Sequence, residues 1–290
     1  MIGKAKSMGA ISIVSAVASG KGASLAVNLP TFAKVSVFEQ RGEWQVFVNG
    51  ARLDSVLAVR TVNNTLRMLG KAPRDHSGTI ETSTSVPFGV GLKTSSASSV
   101  AVSLATASAF GEDSIGSKRL LRISAASSLE AGVSLTGAMD DAASCLMGGV
   151  NFVDNSAGNV ALASKLGRSL PVLIKVPRGN SRRTLVSRSA LRKFSKMAES
   201  IYTIGKKGGL WKAMTLNGIL FSSIYGYDAC DSVEAIGLGA VGASLSGTGP
   251  AVGAVFDDQE NLERAADHWA KGSARLIRTE TSDAGAKIAH

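Results

Sequence analysis

Cysteine and histidine are scarce in this sequence. There are two cysteines, Cys145 and Cys230, and three histidines, His76, His268 and His290, in 290 residues. They form no cluster with metal-ligand spacing, which argues against a structural zinc. The cysteines lie far apart among apolar or small residues and read as buried, reduced thiols, as expected in the cytoplasm. Aromatics make up 5% of the chain, too few for the stacking surface of a single-strand nucleic-acid binder, so no nucleic-acid partner is expected. No apolar run approaches the length of a membrane span. Residues 8–18, preceded by Lys4 and Lys6, are superficially like a signal peptide. They lack a Leu-rich centre, and the spacing of Ile11, Ile13, Val14 and Val17 suits a buried strand running into a glycine turn.

Small residues are abundant instead. The 32 glycines, with many alanines and serines, permit tight turns and close backbone approach. The length is ample for a buried core in one large or two modest domains. The net charge is +10, and its excess is concentrated at Arg178, Arg182, Arg183, Arg188, Arg192 and Lys193. Without interleaved aromatics, that stretch reads as a solvated basic face near an anionic ligand.

Strand patterns occur at 10–17, 23–29, 34–40 and 44–48, the last closed by an Asn49-Gly50 turn signal. Apolar spacing predicts a helix over 53–69, stopped at Gly70. A strand at 79–86 leads through a Gly- and Ser-rich loop to a helix at 100–110. Helices at 118–131 and 141–146 and a strand at 150–154 complete the first half. The boundary is expected near 165–169, dividing the chain into 1–165 and 166–290. The second half reads as a strand (172–176), an amphipathic helix (184–201), helices at 210–225 and 232–239, strands at 242–246 and 252–256, a helix (260–271) and a strand (274–278). That order predicts an α+β layer of ferredoxin-like character.

The stretch richest in chemistry is Pro87, Phe88, Gly89, Val90, Gly91, Leu92, Lys93, Thr94, Ser95, Ser96 and Ala97. It follows a strand and opens a helix, where unpaired N–H groups and the positive end of the helix dipole attract anions. Its glycines let the backbone approach a ligand, its hydroxyls suit phosphate or Mg²⁺, and Lys93 adds positive charge. A serine-rich helix cap with nothing bound fits the same local pattern. An ordinary P-loop at Gly20-Lys21 does not fit, because Ser15 stands at its first glycine and Gly22 at its metal-binding hydroxyl. Asp140-Asp141 at a helix start suits proton or phosphoryl chemistry, but on local chemistry alone an N-cap is the better reading.

Taken in order, three of these segments resemble the motifs of the GHMP kinase superfamily. Residues 9–23, ending Gly20-Lys21-Gly22-Ala23, are similar to its degenerate first motif. Residues 87–97 are similar to the second. Ser246-Gly247-Thr248-Gly249-Pro250 is similar to the third. The resemblance implies the α+β two-domain GHMP kinase fold with a ferredoxin-like C-terminal half, and ATP bound by residues 87–97. It implies Asp140 as the catalytic base; the adjacent carboxylate, Asp141, is the alternative for that role. It also implies Mg²⁺ between Glu130 and a hydroxyl among Thr94, Ser95 and Ser96, of which Ser96 is our assignment. Lys21, Asp141, Gly247, Thr248 and Gly249 are the expected substrate contacts. Mevalonate-type relatives carry a base-assisting lysine in the first motif where this chain has Ala10. Lys21 or Lys93 could supply that charge.

Gly-Leu-Lys-Thr-Ser-Ser-Ala and Asp-Asp before the Gly148-Gly149 strand resemble the archaeal-type shikimate kinase branch. That branch implies phosphorylation of the shikimate 3-hydroxyl by ATP, a step towards chorismate and the aromatic amino acids. Homoserine kinases, which typically show Asp-Asn there, are the alternative among GHMP enzymes. A GHMP-fold ligand-binding protein without catalysis is the alternative of another class. A carboxylate-bearing substrate needs a basic clamp, for which Arg60, Lys21 and Arg178 are candidates.

Overall fold

The computed structural model describes residues 1–134, 137, 139–178 and 184–289. Arg182, Arg183 and His290, named above, lie outside the described residues.

The first half is built on a mixed sheet. Strand β1 (Ile2–Val14) pairs antiparallel with β2 (Lys21–Phe38), and β3 (Trp44–Val48) turns at Asn49-Gly50 into β4 (Ala51–Arg52). Both turn residues have positive φ, 50° and 82°, as a two-residue hairpin loop requires. The strands expected at 23–29 and 34–40 are one long strand. Pro30 does not interrupt it, because the pairing with β1 shifts register between Ser7 and Gly9, and an irregular ladder tolerates a residue without an N–H.

Helix α1 (Val56–Met68) follows, then β5 (Ser77–Thr84), α2 (Thr94–Ala109), α3 (Ser117–Glu130), α4 (Asp140–Met147), β6 (Val150–Asp154) and β7 (Asn159–Ser164). The first sheet runs β4-β3-β5-β2-β1, with β6 also on β2 and β7 on β6. Helix α2 is buried on nearly every side, and its Ala, Ser and Val residues let it lie close against β1 and β2.

The second half begins at β8 (Pro171–Val176). The single helix expected at 184–201 is two, α5 (Arg188–Arg192) and α6 (Ser195–Lys206). Thr184 is drawn out of helical geometry by its N–H bond to the Tyr225 carbonyl, and α5 starts only after the Ser187 cap. Then come α7 (Leu210–Tyr225), α8 (Cys230–Gly237), β9 (Ala240–Leu245), β10 (Val252–Phe256), α9 (Gln259–Ala270) and β11 (Arg275–Glu280). These four strands form an antiparallel sheet in the order β11-β8-β10-β9, the ferredoxin-like arrangement expected from the sequence. A last strand, β12 (Lys287–Ala289), returns to pair with β1. The chain therefore crosses between halves twice, once after β7 and again after β11.

Cys145 is buried in α4, but Cys230 is exposed, contrary to the sequence reading; it opens α8 at the surface. Among the described residues no helix is long and apolar enough to cross a membrane.

Candidate active site

A cleft of about 330 Å³ opens where the two halves meet. Its floor is the loop between β5 and α2. Gly91 holds φ at +90°, and a β-carbon there would overlap the Ser246 carbonyl oxygen, so this residue is glycine for both conformation and space. That closeness is used. Ser246 Oγ donates to the Gly91 carbonyl at 2.8 Å, the Ala251 N–H donates to the Val90 carbonyl at 3.1 Å, and the Gly247 N–H donates to Ser12 Oγ at 2.9 Å. The three segments singled out in sequence are thus laced together by hydrogen bonds.

Of the loop, Gly89, Gly91, Leu92, Lys93, Thr94, Ser95 and Ser96 line the cleft. Pro87, Val90 and Ala97 hold the loop's shape: the first accepts from Thr94 Oγ1 at 3.1 Å, the second from Ala251, and the third from Ser7 Oγ at 2.6 Å. Phe88 is exposed. The first turn of α2 carries its unpaired N–H groups to the cleft, with Ser95 and Ser96 beside them.

Facing the loop is the start of α4. Ser24 Oγ on β2 donates to the Asp140 carbonyl at 2.6 Å, and Ser144 Oγ donates back to the Ser24 carbonyl at 2.8 Å, pinning α4 against β2. Asp140 is 4% exposed and sits against Gly22, with Asn155 Nδ2 donating to its Oδ1 at 3.3 Å. Burial pushes the Asp140 carboxyl up to about 7. The charge of Asp141 adds to this, while Lys93 and the Asn155 hydrogen bond pull it back.

Asp141 is half-exposed and accepts from Lys93 Nζ at 2.5 Å. Lys93 itself is buried. Burial lowers its pKa, but Asp141 and Asp140 outweigh this and hold it above the ordinary lysine value. Of the two lysines considered earlier, Lys93 is the one that pairs with an aspartate of this corner. Lys93 carries charge to the aspartates, and Lys21 reaches across to Glu199 at 3.4 Å. Ala10 is fully buried in the core that includes Ala142 and Ala143.

The other expected residues divide. Ser96, Gly247 and Thr248 line the cleft; Gly249 packs instead against Tyr227 and Leu245. Glu130 does not line it. Its carboxylate accepts from Asn64 Nδ2 at 3.3 Å and lies 3.9 Å from Arg60, on the α1 side of α3. The face that α3 turns to the cleft is Ser124 and Ser128, one helical turn apart. Among the described residues no group of three or more His, Cys, Asp or Glu could hold a metal. The cleft offers hydroxyls, and its half-exposed carboxylate, Asp141, is already paired with Lys93; such a lining fits Mg²⁺ carried on phosphates and not a dedicated protein cage. Of the clamp candidates, Arg60 is engaged with Glu130, and Arg178 is exposed beyond β8.

Asn155 was not found from sequence, since nothing local marks an Asn in a turn as functional. Ser124 and Ser128 were not singled out either; their i, i+4 spacing is the one sequence signal that could have drawn attention to them.

Residues 56–149 match the family profile of the GHMP kinases N terminal domain, and residues 227–274 that of the GHMP kinases C terminal. A shikimate kinase of Methanothrix thermoacetophila is 33% identical over 99% of this chain and 96% of its own length. One from Methanocella arvoryzae is 34% identical over 96% of this chain and 93% of its own. The chain belongs to the shikimate kinase branch of the GHMP kinases. Among solved structures, the homoserine kinase from Cytophaga hutchinsonii shares the GHMP kinase fold with a TM-score of 0.74. It is 20% identical, and the match covers 99% of this chain and 97% of that one. As a GHMP kinase, the chain is an ATP-dependent small-molecule phosphotransferase.

Proposed function

We propose that this protein phosphorylates the 3-hydroxyl of shikimate with ATP, and that the cleft between the β5–α2 loop and α4 is where it does so. The reading is carried by similarity to archaeal shikimate kinases over nearly the whole chain, not over one motif. A cytoplasmic place of work accords with the need for ATP.

The nucleotide's phosphates lie against the N-terminal turn of α2, where Ser95, Ser96 and the helix dipole meet them and Lys93 adds charge. Gly247 and Thr248 close the opposite wall. Asp140 takes the proton from the acceptor hydroxyl as its oxygen attacks the γ-phosphorus. The bond from that phosphorus to the bridging oxygen breaks, and ADP leaves with the electron pair. A carboxyl pushed up to about 7 by burial is well matched to this task near neutrality. Mg²⁺, when bound, would supply positive charge against the phosphates in this part of the cleft. Ser96 is its proposed protein ligand, and Glu130 joins only on leaving Arg60 and Asn64. Lys21, at the foot of β2, is the proposed clamp for the shikimate carboxylate, and Glu199 is the partner it exchanges.

A coupled ADP-release assay offering shikimate, homoserine and mevalonate in turn tests the proposal. Release dependent on shikimate is expected. Preference for homoserine would replace the substrate. A folded protein that releases ADP with none of the three would replace the enzyme by a ligand-binding protein.

A further inference from the structure

Asp140 and Asp141 are adjacent and both line the cleft, yet different partners hold their carboxylates. Asn155, directly after β6, spends its whole amide on this corner. Its Oδ1 accepts from the Met139 N–H at 2.7 Å. Its Nδ2 donates to the Gly20 carbonyl at 3.0 Å and to Asp140 Oδ1 at 3.3 Å. The two backbone partners fix which end of the amide is which, since an N–H only donates and a carbonyl only accepts. The nitrogen therefore faces Asp140. One side chain ties together the residue before α4, the turn before β2 and the buried carboxylate.

Asp141 belongs to Lys93, which stands where a lysine is disfavoured on three counts. Its φ is +58°, a left-handed conformation that costs a residue with a β-carbon. Its ammonium is buried. It also occupies the N-cap of the 16-residue α2, at the positive end of the helix dipole, and makes no capping hydrogen bond. Such local costs persist where the surroundings fix them, and they concentrate at functional sites. Here the fixing contact is Asp141. A β-carbon on Gly247 would lie 3.5 Å from Lys93 Nζ, which places the ammonium against the Gly-rich turn as well.

We infer that Asn155 and Lys93 give the neighbouring aspartates unlike roles, Asn155 orienting Asp140 as the proton acceptor and Lys93 locking Asp141 as the fixed anion of an ion pair. This rests on the proposed role of Asp140 as base. Two adjacent carboxylates left to themselves would compete to ionise and share a proton. The charged or titratable groups felt by Asp140 are Asp141 on its own helix and Lys93 across the cleft, and the Tyr202 hydroxyl of α6 feels Asp140 in turn. Burial and Asp141 disfavour the Asp140 anion. Lys93 and Asn155 favour it.

The test is the pH dependence of kcat/KM for shikimate in wild type, Asn155→Ala, Asn155→Asp, Lys93→Met and Lys93→Arg, with thermal midpoints taken at each pH. Asn155→Ala should move the acidic limb to higher pH and lower kcat at pH 7 by about 10-fold or more, with the KM for ATP changed less than about threefold. Asn155→Asp, which keeps the acceptor for Met139 but adds a third carboxylate, should move the limb further. Lys93→Met should move it upward as well, and Lys93→Arg should restore it towards wild type. Limbs left in place, with activity falling only as the thermal midpoint falls, would overturn the inference and reduce both residues to scaffolding. If the Asn155 and Lys93 variants do not fold, ¹³C titration of the wild-type aspartate carboxyls decides. One carboxyl titrating near pH 7 and missing from Asp140→Asn supports the division of roles; a proton shared over two sinks it. Undiminished kcat in Asp140→Asn would instead defeat the base assignment, a separate failure.

Discussion

Gly22 on β2 stands directly against the carboxylate of Asp140. A β-carbon on that glycine would overlap Oδ2 and come within 2.6 Å of the carboxyl carbon. The side chain proposed as base thus occupies volume that any other residue at position 22 would claim.

Gly22→Ala should displace the Asp140 carboxylate or the strand, costing about 1–3 kcal/mol of stability. It should also lower kcat by about 10-fold or more, since small misplacements at a reacting group are costly. Urea unfolding and steady-state kinetics on one preparation measure both. Wild-type kcat in the alanine variant would show that the carboxylate position is immaterial.

Asp140→Asn should reduce kcat by about 10²–10⁴-fold, the usual contribution of a general base, with ATP affinity largely kept. Isothermal titration with a non-hydrolysable ATP analogue, beside the coupled assay, separates the two quantities.

The same residue links stability to pH. Its folded pKa, about 7, stands above the ordinary carboxyl value of 3.8, so the folded state binds this proton more tightly than the unfolded chain does. The contribution of Asp140 to stability is therefore fully present below about pH 4 and lost as pH rises towards 7. Asp140→Asn should consequently melt higher than wild type at pH 8, with the gap closing on acidification to pH 4. Thermal midpoints across that range check the sign.

Glu130→Gln should change kcat and the Mg²⁺ requirement little, because the carboxylate is engaged with Arg60 and Asn64 on the α1 side. An exposed pair of this kind contributes about 0–1 kcal/mol. A large rise in the Mg²⁺ concentration needed for half-maximal rate would restore Glu130 as a metal ligand.

Much of this molecule was legible beforehand. The strand at 150–154, helix α7 and strand β10 carry periodic apolar residues between clear stops, and they lie where the pattern predicts. The site was legible where backbone chemistry leaves a mark, as in the glycines and hydroxyls of 87–97 and 246–250. It was not legible where a role depends on tertiary neighbours. Asn155 gains its role only because β6 delivers it beside Met139 and Gly20. Glu130 sits at a plausible spacing from Asp140, but the phase of α3 gives the cleft to Ser124 and Ser128 and turns Glu130 to the α1 side, where it meets Arg60 and Asn64. The late start of the helix expected at 184–201 followed from the bond between Thr184 and Tyr225, a contact invisible in any local window.

The hydrogen bond from Gly247 to Ser12 joins residues 235 positions apart. A growing chain emerging from the ribosome would have its phosphate loop early but would lack the opposite wall of the cleft until most of the sequence had been made. Catalytic competence should therefore arrive late and all at once, after long-range docking of the kind that slows folding. A stalled or truncated nascent chain should display the ATP loop without the wall needed to use it.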